Sequence, residues 1–75
     1  MNRQRRTSIR KLVDQLHNIK ETLQGILEAE DEARDNMPDS VQDSVQYQDS
    51  EKASESLEDA INDLDEVISD LEDAI

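Results

Sequence analysis

The chain has 75 residues, no cysteine, one histidine and a single aromatic residue, Tyr47, with 33% apolar residues and a formal net charge of −12. These values exclude disulfides and thiolate metal sites, rule out a thick single-chain core, and leave oligomerisation as the available means of stabilising so small a scaffold. Residues 1 to 20 carry six basic side chains and one acidic, whereas residues 21 to 75 carry two basic and nineteen acidic.

Residues 1 to 6 contain Arg3, Arg5 and Arg6 without an apolar anchor and read as a frayed basic arm or a poorly ordered first turn, which Arg10 and Lys11 extend. Thr7-Ser8-Ile9-Arg10-Lys11 follows where a signal peptide needs an apolar run, so no targeting signal is expected. Thr7 or Ser8 can cap a helix over about residues 7 to 35, although the pattern also allows an earlier start. From Ile9 the apolar residues Leu12, Leu16, Ile19, Leu23 and Ile26 alternate in steps of three and four, the seam of a coiled coil. Val13 and Leu27 widen this seam on one flank. Gly25 and His17 lie off it and read as a tolerated surface glycine and a solvated histidine.

Residues 36 to 44 form the expected turn. Asn36 suits the left-handed conformation that ends many helices, and Pro38 cannot continue one. Pro38 to Gln42 can form a short helical turn, and either Ser44 or Ser40 can cap the second helix. That helix is expected over about residues 45 to 75. Its heptads place Leu57, Leu64 and Leu71 in one column and Ile61, Ile68 and Ile75 in a second; Ala53, Ala60, Val67 and Ala74 form a third.

Two such helices joined by a short connection predict an all-α fold, a two-helix antiparallel coiled-coil hairpin. Setting Leu16 level with Leu64 pairs Leu12 with Ile68, Ile19 with Ile61, Leu23 with Leu57 and Ile9 with Leu71, and centres the turn near residue 40, beside Pro38. Arg6 with Glu72 and Lys20 with Glu58 are then the candidate ion pairs. Ser8, Gln15, Thr22 and Ala29 would face the Ala53, Ala60, Val67 and Ala74 column. We expect that flank to pair hairpins into a four-helix bundle, a homodimer being the economical form and a hetero-complex the alternative.

Glu55, Asp59, Asp63, Glu66, Asp70 and Asp73 form an outward row of carboxylates. Such a row either solvates the helix or imitates nucleic-acid phosphates toward a basic partner protein. Net charge −12 disfavours direct nucleic-acid binding, for which only the arm of Arg3, Arg5, Arg6, Arg10 and Lys11 is suited. There is no catalytic triad, phosphate-binding loop or calcium loop, so neither an enzyme nor a cofactor is expected. No segment approaches the roughly 18 apolar residues of a membrane span, and the lack of cysteine fits a cytoplasmic protein.

Residues 35 to 48, Asp-Asn-Met-Pro-Asp-Ser-Val-Gln-Asp-Ser-Val-Gln-Tyr-Gln, with the heptads that follow, resemble a group of small helical proteins of bacteriophages and gut-type bacterial genomes. Their shared pattern is an Asn-(Leu/Met)-Pro-x-x-(Leu/Val)-Gln turn, with Ser-Glu opening the second helix; Ser44-Val45 departs from it here. The resemblance implies a small accessory protein in the cytoplasm of an infected bacterium, binding and blocking a host nucleic-acid-handling or defence protein. A scaffold or assembly bundle with a merely solvating acidic surface is the alternative expectation. Nucleotide or nucleic-acid binding through the basic arm is the third.

Overall fold

A computed structural model describes all residues 1–75. Two α-helices, α1 (Arg3–Asp35) and α2 (Val45–Asp73), run antiparallel as a hairpin 59 Å long, with a 3₁₀ turn at Asp39–Val41 between them. No helix is long and apolar enough to cross a membrane.

Each boundary has a local cause. Asn2 is extended, and its Oδ1 accepts from the Arg5 backbone N–H at 2.9 Å. It thereby satisfies one of the donors a helix start leaves free. The helix consequently begins at Arg3, the earlier start that the pattern allows, so residues 3 to 6 are its first turn and not a frayed arm. Thr7 and Ser8 are not caps: their hydroxyls donate back to the carbonyls of Arg3 and Gln4.

At the other end Asn36 is right-handed, not left-handed, with φ −87°. Its N–H donates to the Glu32 carbonyl at 3.1 Å, and the Met37 N–H to the Arg34 carbonyl at 3.0 Å, so α1 ends by tightening its last turn. Pro38 is extended and starts the 3₁₀ turn expected there. Ser44 then caps α2, its Oγ accepting from the Tyr47 N–H at 3.1 Å. This resolves the choice between Ser40 and Ser44.

The seam differs from the one the heptads suggest. On α1 the residues that lose solvent are Ile9, Val13, Leu16, Lys20, Leu23, Leu27, Glu30, Asp31 and Arg34. On α2 they are Tyr47, Ser50, Ser54, Leu57, Ala60, Ile61, Leu64, Ile68, Leu71 and the neighbouring Ile75. Arg34 bonds to Ser50, which fixes the level. Stepping away from it in opposite directions puts Leu27 by Leu57, Leu23 by Ile61, Lys20 by Leu64, Leu16 by Ile68 and Val13 by Leu71. Relative to the expected register the helices are displaced by four residues, about 6 Å. In addition α1 is turned about its axis by roughly 50°, one heptad column.

The expected core is therefore corrected in three places. Leu12, Ile19 and Ile26 are not in the seam; each is about half exposed, at 49%, 50% and 50%. Val13, Lys20, Leu27 and Arg34 take their column. Lys20 fits because its methylenes cover apolar surface while its ammonium reaches the edge and pairs with Asp65, in place of the expected Glu58. Arg6 and Glu72 form no ion pair. The remaining core is thin: Val13, Ile61 and Ile68 are the buried apolar residues, and no large side chain is sealed completely.

Candidate functional site

A two-helix ribbon has two broad sides, and the seam assignment determines which residues each one carries. In an antiparallel pair, the columns immediately outside the seam on the two helices meet on a common side. One side therefore holds Leu12, Ile19, Ile26 and Ala33 of α1 beside Ala53, Ala60, Val67 and Ala74 of α2. Val67 is 44% exposed. The other holds Arg10, His17, Gln24 and Asp31 beside Glu51, Glu58, Asp65 and Glu72. Gln24 and Glu58 line the same open dent there, with Leu27, Ile61 and Asn62.

The first side is the candidate site. It keeps the small-residue column expected to carry association and adds Leu12, Ile19 and Ile26, which heptad counting assigns to the hairpin core. A shallow dent of about 260 Å³ lies on it, lined by Asn18, Ile19, Thr22 and Leu23. Polar groups around it are already satisfied: the Thr22 hydroxyl donates to the Asn18 carbonyl at 3.1 Å, and Ser8 does the same one turn back at Gln4. Covering this side would thus strand no hydroxyl of Ser8 or Thr22.

Near the turn the seam becomes polar and specific. Arg34 donates through Nη1 to the Ser50 carbonyl at 3.1 Å and to the Ser54 Oγ at 2.7 Å, and through Nη2 to Asp31 at 2.8 Å. Ser54 closes the ring by donating to the Asp31 Oδ1 at 2.6 Å. The Ser54 hydroxyl, then the Arg34 guanidinium, hold the Asp31 carboxyl below its ordinary value of 3.8, and Asp31 holds Arg34 further in its charged form. No buried side-chain polar atom in the chain lacks a partner.

This ring has a defined pH dependence. A carboxyl whose value is depressed on folding contributes stability above its unfolded value, and that contribution disappears as pH falls through the depressed one. Wild type should therefore outlast Asp31→Asn at about pH 7, and the gap should narrow as pH falls below 3.8, as read by thermal melts of both proteins. The two proteins are otherwise identical, so the difference between melts isolates Asp31.

Glu55, Asp59, Asp63, Glu66, Asp70 and Asp73 are all exposed and none takes part in an ion pair. They project away from the seam, as the heptads require. Arg3, Arg5, Arg6, Arg10 and Lys11 are exposed along the first three turns of α1. His17 is exposed and Gly25 has open space where a Cβ would lie. No cluster of histidine and carboxylate side chains is arranged to hold a metal ion.

The Asp31–Arg34–Ser50–Ser54 ring was not anticipated from sequence. A usable signal exists in Ser50 and Ser54, which occupy heptad columns that leucine and isoleucine fill further along α2. Compared with known proteins, the chain matches no family model, no curated protein and no solved structure.

Proposed function

We propose that this chain is a non-catalytic protein–protein interaction module that works by burying the Leu12–Ile19–Ile26–Val67 side of its hairpin against another helical surface. One observation carries the reading. α1 has two apolar-rich columns flanking Leu16 and Leu23, and the hairpin turns the one containing Lys20 and Arg34 inward. The column without charge between Leu12 and Ala33 is left outward. An isolated hairpin would gain more by the opposite choice, at about 25 cal/mol for each Å² of apolar surface covered. The arrangement is favourable when something covers that side.

The test compares two cysteines introduced into a chain that has none. In extract of the cells that make the protein, Ile19→Cys should resist a maleimide reagent while Glu28→Cys, on an exposed outer position, reacts readily. Equal reactivity would remove the reading.

A second reading is favoured by the six unpaired carboxylates: the row from Glu55 to Asp73 docks a basic partner by imitating phosphates. In the same extract, joint reversal of Asp59, Asp63, Glu66 and Asp70 to lysine should then abolish capture of a basic protein. Unchanged capture leaves the row a solvating surface.

A further inference from the structure

We propose that the surface covering the apolar side is a second copy of this chain, related by a two-fold axis along the hairpin, so that α1 of each copy lies over α2 of the other. This rests on the interaction-module reading and specifies its occupant.

Area is the first argument. A compact monomer of 8.6 kDa exposes about 4,700 Å², whereas this hairpin exposes 5692 Å². The excess of about 1,000 Å² matches what one partner contributes to a stable interface, about 800 Å². A ribbon 59 Å long and two helices wide, ~20 Å, offers that area on one side.

Shape selects the orientation. An axis along the hairpin preserves height, so Leu12, Ile19 and Ile26 of one copy meet Ala74, Val67 and Ala60 of the other, large side chains over small ones. The competing axis, across the hairpin, lays α1 on α1 and α2 on α2. It crowds leucine and isoleucine against one another and leaves the alanines facing alanines across a gap, losing dispersion contacts on both helices.

Charge makes the same selection. α1 is neutral, with seven basic and seven acidic residues, whereas α2 has one basic and eleven acidic. Placing α2 on α2 would bring Asp49, Asp63 and Asp70 toward their own copies. Placing α1 on α2 sets them instead beside Ser8, Gln15, Thr22 and Ala29, which carry no charge. All four helices then alternate in direction, the arrangement of an up-down bundle.

Sedimentation equilibrium of the purified chain at micromolar concentration should give twice the 8.6 kDa monomer mass, and Ile26→Glu, at a half-exposed position, should give a helical monomer. Orientation is read by mixing Ile26→Cys and Ala60→Cys proteins under oxidant. The mixed disulfide should form at least about tenfold faster than either symmetric one. A monomeric wild type, a higher oligomer, or faster Ile26–Ile26 crosslinking would each overturn the proposal. If the purified chain is monomeric while Ile19→Cys stays protected in extract, the second copy fails as occupant and the interaction reading stands. If the cysteine also reacts freely, both fail.

Discussion

Ile68→Ala should lower the stability of the hairpin by about 2–4 kcal/mol, the range for deleting a buried branched side chain whose site cannot collapse. Ile68 is the most buried apolar residue, 4% exposed, and sits level with Leu16 in a seam too thin to offer a second layer of side chains that could fill the gap. A chain of this size has on the order of 4–11 kcal/mol in total. The midpoint of a urea melt followed by helicity should accordingly fall by about a fifth or more. Ile26→Ala removes the same atoms from a position that is half exposed. Within one hairpin it should cost under about 1 kcal/mol, so a larger loss that grows with protein concentration reports the covered side. Equal, concentration-independent losses at both positions would contradict the seam described here.

Arg34→Ala should open the turn end while leaving the distal half closed. Removing the guanidinium deprives Ser50, Ser54 and Asp31 of their shared donor at once. Few apolar contacts remain there to hold the helices together. Amide exchange should rise at least about tenfold across residues 30 to 54, with little change across residues 61 to 71. A uniform rise would mean that the ring is part of one cooperative unit. Replacing the ring wholesale, with Arg34→Leu, Asp31→Ala, Ser50→Ala and Ser54→Leu together, should instead raise the midpoint, because nothing charged remains to desolvate. What such a protein loses is the fixed level of one helix against the other.

Heptad columns, Pro38 and Ser44 made the hairpin and its turn legible from sequence, because each depends on near neighbours along the chain. The choice of seam was not legible. Leu16 and Leu23 serve in either arrangement, and hydropathy ranks Ile19 and Ile26 above Lys20 and Arg34 as their companions. The observed choice depends on the reach of two long side chains: Lys20 to Asp65 at the edge, Arg34 to a carbonyl and a serine hydroxyl on the facing helix. Those are properties of a pair of helices, invisible in the pattern of one. Moving the seam by one column also transferred Leu12, Ile19 and Ile26 from the core to the candidate site. The site's small residues were thus readable and its large ones were not.

The rod shape of the hairpin determines how the proposed pairing would look in solution. Its radius of gyration is 17.3 Å, against about 11 Å for a compact chain of 75 residues. A single hairpin therefore travels through a sizing column like a heavier globule, and elution volume alone would overstate its mass. Pairing side by side thickens the rod without lengthening it. Small-angle scattering should then show the forward intensity doubling at equal mass concentration while the radius of gyration scarcely changes, a signature that end-to-end growth cannot produce.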